Sequence, residues 1–365
     1  MDVTPSPSVK FNGSDRFISE LRRRVDAYFK QTGRPRRDCP QMYFKTATIL
    51  AWFIAAYVLL LFVVTSWWTI VPLAVVLGLS MAAIGFNVQH DGSHKAYSNR
   101  KWVNKMMALT LDTIGASSYL WNWKHNAIHH TYPNVEGQDD DIDLGRLARL
   151  APHQPHYNLY RFQGIYLWLL YGCLAMKWHL FDDFCNIATG RIGSHKIPRP
   201  KGTDLLTFIA GKIVFFSLAF MIPMLLHPWW AVLAVYGVAA FTCGLVLGVV
   251  FQLAHCVELA EFPVPVLSED GYARLQTEWA VHQVQTTVDF ARGNRPLAWF
   301  VGGLNFQIEH HLFHKICHIH YPALSKVVEQ ACRDFGIRYA EHPTLSAAVA
   351  SHYRWLKRMG RASPA

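Results

Sequence analysis

From Thr46 to His90 the sequence holds no Asp, Glu, Lys or Arg, and the same absence recurs from Ile213 to Val257. Each uncharged block is 45 residues long. As helix that is roughly 65 Å, about twice the ~30 Å hydrocarbon core of a bilayer. Soluble helices seldom run so far without a charge, so each block reads as a helical hairpin crossing a membrane twice. The predicted crossings are 46–65, 68–89, 207–226 and 230–252. Charge is missing from the hairpin tips too: one carries Ser66-Trp67-Trp68 and Pro72, the other His227-Pro228-Trp229-Trp230. Tryptophan pairs suit the bilayer interface, and proline marks the turn. Every Lys and Arg then lies on one face, which the positive-inside rule assigns to the cytosol with both termini. The formal charge of +10 follows from that placement. It calls for no nucleic acid, though Arg22-Arg23-Arg24 and Arg34, Arg36 and Arg37 suit anionic head groups.

The seven cysteines include no CxxC pair. That argues against a zinc ribbon and a disulfide framework and fits a reducing cytosolic face. Met1 to Cys39 is polar and basic and has no apolar signal-peptide core. Within it, residues 14–31 read as an amphipathic helix with Ser14 as N-cap and Phe17, Leu21, Val25 and Phe29 at i, i+4 spacing. Between the hairpins, Met106–Trp123 and Phe162–Met176 are too polar or too short to span and read as interfacial helices. Residues 190–203 read as a loop. The expected fold is all-α and integral to the membrane, with four transmembrane helices in two hairpins, interfacial helices and a cytosolic helical cap. Residues 1–45 form the cytosolic N-terminal segment, 46–257 the hairpins with the intervening histidine-rich region, and 258–365 the C-terminal cap.

Histidine is abundant where charge is scarce, at 19 residues. His90 and His94 stand in HDGSH, His125, His129 and His130 in HNAIHH, and His310 and His311 in QIEHH. On a helix, i and i+4 share a face. His90 and His94 can therefore clasp one ion, as can His125 and His129, while His130 is turned toward a second. Gln307 and His311 repeat the i, i+4 relation. A lone interfacial histidine is ordinarily a hydrogen-bonded residue; three clusters on one side of a membrane point to a shared centre. Imidazole alone does not choose among Fe, Zn, Cu and Ni. Seven clustered histidines exceed the four ligands of a zinc site and suggest two metals.

These boxes, in this order and beside these hairpins, resemble the three histidine boxes of the membrane fatty acid desaturases. The QIEHH form resembles the front-end branch, which places a double bond between an existing one and the carboxyl end. The resemblance runs from about Val9 to Arg361 and includes LNFQIEHHLF and HIHYPAL. It implies two Fe ions, O2 as co-substrate and an acyl tunnel entered from the membrane. It also implies His90, His94, His125, His129, His130, His310 and His311 as catalytic iron ligands. His255, just past the fourth crossing, is a further candidate ligand. Gln307 stands where a ligand is expected; it binds iron, orients a water or hydrogen-bonds a neighbouring histidine. Asp91, Asp139, Asp141 and His318 are candidate partners of the ligating rings, with His282, His314 and His320 left open. His314 occupies a position where relatives usually have Pro.

The HPGG motif of a fused haem domain is absent, so the electrons are expected from a separate ferredoxin or cytochrome. The substrate would be a fatty acyl chain carried on CoA or lipid. The chain would sit in the cell membrane if bacterial and the endoplasmic reticulum if eukaryotic. An unactivated methylene has no acidity for a side chain to exploit, so the chemistry must come from metal and O2. Two other readings compete. A di-iron acyl or lipid hydroxylase shares the boxes and differs only in product. A membrane metal transporter or haem-binding carrier would place ionisable residues along a path inside the crossings, where this sequence has none apart from tip and end histidines.

Overall fold

The structure, a computed structural model, describes residues 9–269 and 272–361. Four helices are long and apolar enough to cross a membrane: Pro40–Phe62, Trp67–Ser93, Thr203–Met224 and Trp229–His255. They overlap the four predicted crossings and extend each on the side that carries the histidines, while the first and third stop at Phe62 and Met224, short of the predicted ends at 65 and 226. The first starts with Pro at its first turn, where the missing N–H costs nothing. It buries Lys45 well inside. The third buries Lys212, whose Nζ donates to Asp183 Oδ2 and to the Gly115 carbonyl, both at 2.7 Å. These partners are what make an ammonium tolerable there.

The two tips differ from expectation in one respect. Pro72 lies inside the second helix, not in the turn, which residues 63–66 make. Proline there forgoes one backbone bond and is tolerated close to the helix start. Pro228 does mark its turn, as the residue capping the fourth helix. Trp67 and Trp230 stack with ring centroids 5.7 Å apart, so both tips lie together.

The second and fourth helices form the central contact. A Cβ on Gly78 would lie 2.4 Å from the Ala239 carbonyl oxygen and 2.8 Å from Thr242 Cβ, so the backbones touch there. Leu77, Met81, Cys243 and Leu247 pack in the same core. Outward, Phe44, Phe62, Trp68, Leu206 and Leu225 are exposed, as lipid-facing side chains must be.

Outside the crossings, the N-terminal helix spans Arg16–Thr32 and stops at Gly33 in the left-handed conformation. Asp15, not Ser14, precedes it, and no side chain caps it. Phe17 and Leu21 pack against Ile308 and Leu312, the back of the third histidine box. Val25 and Phe29 pack against Leu324 and Tyr321. Each such side chain contributes about 1.5–3 kcal/mol by burial. The apolar segments between the hairpins form short helices, including Lys101–Ala108 and Gln163–Gly172, with Trp102, Met106, Ile165 and Leu169 exposed.

The described residues also hold short strands that an all-α reading omits. Lys10–Phe11 pairs in parallel with Ala273–Leu275, pinning the N-terminal segment to the C-terminal region. Asp289–Phe290 pairs in parallel with Glu341–His342. The 190–203 stretch contains an antiparallel pair, Arg191–Ile192 with His195–Lys196. Two-residue strands carry no readable alternation, which is why the sequence pattern misses them.

Gly78→Leu is expected to cost about 3 kcal/mol by overpacking the central contact. Gly237→Leu, on the same pair of helices but with nothing within 4 Å of its added Cβ, should be tolerated. Thermal melting of the two variants in detergent by fluorescence-detected size exclusion compares them; equal midpoints would refute the close approach.

Candidate metal centre

The histidines lie where two helices leave regular α geometry. The second crossing widens to a π-turn over Ile84–Gln89 immediately before His90. The second box lies on another, Asn122–His129, where the His130 amide bonds the His125 carbonyl five residues back at 3.1 Å. Such turns are uncommon and cluster at functional sites because they re-aim side chains. The third box is a short helix, Gln307–Phe313, held from behind by the N-terminal helix.

All seven box histidines and His255 are buried. Nitrogens of His90, His94, His125 and His310 lie within 4.8 Å of one another, as do those of His129, His255 and His311. His130 joins His310 and His311 in a group that links the two. His90 and His94 share a group, as their spacing predicts. His125 and His129 belong chiefly to different groups, although both also approach Asp141. The i, i+4 rule presumes a regular α-helix, and the π-turn removes that premise.

The nitrogens face one another at close range. His90 Nε2 is 3.1 Å from His125 Nε2, which is 3.2 Å from His130 Nε2. His94 Nε2, His130 Nδ1, His255 Nδ1, His310 Nε2 and His311 Nε2 are buried without a hydrogen-bond partner. Leaving so many buried polar atoms unpaired is costly unless something else binds them. Burial, with repulsion from neighbouring imidazoles, holds His94, His125, His130, His310 and His311 far below their ordinary pKa. Neutral rings with converging lone pairs are what a metal ion requires.

The opposite ring edges are anchored. His129 Nδ1 lies 3.1 Å from Asp139, His311 Nδ1 2.8 Å from Gln283 Oε1, and His310 Nδ1 3.3 Å from the Tyr321 hydroxyl. Burial depresses the His129 pKa, but Asp139 and Asp141 outweigh it and the net shift is upward. Gln307 Nε2 is 3.0 Å from His255 Nε2.

Of the candidate partners, Asp139 touches His129 directly, and Asp141 lies 3.5 Å from the same ring. Asp91 and His318 meet each other instead, at 3.0 Å, and His318 Nε2 is 2.9 Å from Lys45 Nζ. His314 comes nearer to the cluster, its ring about 5 Å from those of His94 and His130. His282 packs on Phe11, and His320 contacts Cys39 and the Pro35 carbonyl. Neither Gln283 nor Tyr321 belongs to a box, although Tyr321 lies in the HIHYPAL stretch, and no helical spacing links either one to the ring behind which it stands.

A cavity of about 270 Å³ opens beside His125, His129 and His255, walled by Trp121, Trp178 and Phe251. Trp121 stacks on His125 with centroids 4.4 Å apart. The cavity thus has an aromatic wall next to the histidine nitrogens and a charged rim of Lys124, Asp140, Asp141, Asp143, Lys177 and Asp182.

Comparison with known proteins agrees. A family model for fatty acid desaturases matches residues 65–343. The chain is 40% identical over 357 residues to an sn-1 linoleoyl-lipid 6-desaturase of Synechocystis sp., covering 97% of this chain and 98% of that protein. It is 41% identical over 359 residues to the Arthrospira platensis protein of the same name, covering 98% and 96%. An acyl-lipid (8-3)-desaturase of Physcomitrium patens is 36% identical over 352 residues, covering 94% and 72%.

Asp139→Asn is expected to weaken iron retention ~10–100-fold by removing the carboxylate behind His129. The iron-to-protein ratio across a chelator titration measures it, with Asp334→Asn, an exposed carboxylate far from the boxes in sequence, as control. Equal retention in both would show that the contact does not tune the site.

Proposed function

Because the chain belongs to the fatty acid desaturase family and is a front-end acyl desaturase, we propose that it holds two irons and acts on lipid-linked acyl chains at the sixth carbon. The observation that carries the two-metal reading is the pair of buried nitrogen groups joined through His130 and His310. We assign one iron to His90, His94, His125 and His310, and the other to His129, His255 and His311, with His130 between them. Gln307 is assigned a positioning role through its contact with His255. The position of the double bond and the lipid carrier are taken from the names of the two relatives that match at 40–41% identity.

When bound, the irons supply the O2-dependent oxidation that removes two hydrogens from adjacent carbons. The residues of the chain do the rest. With Nδ1–H donated to Asp139 and to Gln283 Oε1, the Nε2 lone pairs of His129 and His311 point inward. Trp121, Trp178 and Phe251 form the apolar wall beside His125 against which an acyl chain can lie. Tight positioning of this kind is how an unreactive bond is brought to a reactive centre.

The first box and His255 lie at the C-terminal ends of the second and fourth crossings, on the side that carries the Lys and Arg residues, which we take to be cytosolic. The crossings then form two hairpins beneath a cytosolic cap. We take the electrons to come from a ferredoxin or cytochrome donor.

Expression in a host that contains linoleoyl lipids, followed by mass-spectrometric location of double bonds, should reveal a new double bond at carbon six. It should be absent with His129→Ala/His130→Ala, and the purified protein should contain about two irons. A hydroxylated acyl product, or desaturation confined to acyl-CoA, would overturn the assignment.

A further inference from the structure

Two more spaces lie beyond the iron-side chamber, on the same seam between the second and fourth helices. Past Trp121, Trp178 and Phe251 is a small space of about 20 Å³, bordered by His90, Cys243, Leu247 and His179. One helical turn further down is an apolar cavity of about 130 Å³, bordered by Met81, Ala239, Tyr236 and Phe215 and reaching Trp67 and His227 at the tips. From Met81 to Trp67 this lower cavity runs roughly 20 Å along the helix. The steps match on both helices: Gly85 borders the upper space and Met81 the lower, and likewise Cys243 and Ala239.

What separates them is polar. His179 Nδ1 is 3.2 Å from the Tyr236 hydroxyl, with His179 bordering the upper space and Tyr236 the lower. The ring packs on Phe215 at 4.6 Å and hydrogen-bonds the Ile114 backbone. Gly115, at φ +110°, lets the chain pass against it; a Cβ there would lie 2.6 Å from His179 Cδ2. Burial draws the His179 pKa down to about 3, so the ring is neutral and held by these bonds. In apolar surroundings neither group can leave the other without losing its partner. A hydrocarbon pushing past must break that bond; one ending above it need not.

We propose that the His179–Tyr236 pair is the floor of the acyl channel, and that it sets the longest tail the enzyme accepts by closing the channel from the lower cavity. The proposal rests on the desaturase reading and adds the residues that measure chain length. Neither residue belongs to the histidine boxes.

The test supplies acyl chains lengthened in two-carbon steps beyond the best wild-type substrate and reads the ratio of long to best-length desaturated product. Iron content and size-exclusion profile are taken for every variant. His179→Ala should raise the ratio about tenfold, the discrimination that one methylene against a pocket wall carries. Cys243→Phe, which fills the upper space from the opposite wall, should shift the profile to shorter chains. Iron-loaded, monodisperse variants that keep the wild-type profile, or lose all product, would overturn the proposal. If His179→Ala fails to accumulate, the Cys243→Phe profile decides alone. A wild-type chain that makes no double bond at all would overturn the desaturase reading and the channel with it.

Discussion

The structure depends on forcing many imidazole lone pairs into one buried volume. Contacts such as His90 Nε2 to His125 Nε2 at 3.1 Å leave at most one ring N–H to share, and five further ring nitrogens of the cluster are buried with no partner. Burying unpaired polar atoms costs free energy that the rest of the fold must offset. The offset comes from behind. Ile308 donates its amide to Asp289 Oδ1, and Tyr339 lies 2.6 Å from Asp289 and 3.0 Å from Glu309. Burial and the adjacent Asp289 push Glu309 well above the usual carboxyl range, which favours a proton held within the pair. The third box is thus clamped by a polar network on one side and by Phe17 and Leu21 on the other.

The membrane helices serve this arrangement directly. Their close contact at Gly78 aligns the second and fourth helices, so that His90 and His255 end at the same level. The same seam holds the apolar spaces along which a hydrocarbon can lie. On the proposed reading, metal centre and acyl path lie at two ends of one helix pair. A change in helix packing would therefore disturb iron binding and chain-length selection together, although the residues concerned are far apart in sequence.

Legibility differed by kind of signal. The crossings were plain because an uncharged run has almost no other explanation, but their extensions around Lys45 and Lys212 were not, since a buried lysine depends on a partner distant in sequence. His318 lies more than 200 positions from both Lys45 and Asp91, and Asp183 lies 29 positions from Lys212. The grouping of His90 with His94 followed from helical spacing. That His125 also joins His90, His94 and His310, while His129 joins His255 and His311, did not, because no local rule announces a π-turn. Pro72 was misplaced because proline near a helix start and proline in a turn look alike in sequence.

By itself the sequence determined the number of crossings, the chemistry of the donors and the resemblance to the desaturases. Each rests on composition or spacing within a short window. Only the tertiary structure decided which histidines share a group, that Gln307 meets His255, that Gln283 and Tyr321 stand behind the ligands, and that His179 and Tyr236 divide the seam. Those facts are contacts between residues tens to hundreds of positions apart. They are set by helix packing and by backbone turns whose energy is spread over the whole chain, and no local pattern encodes them.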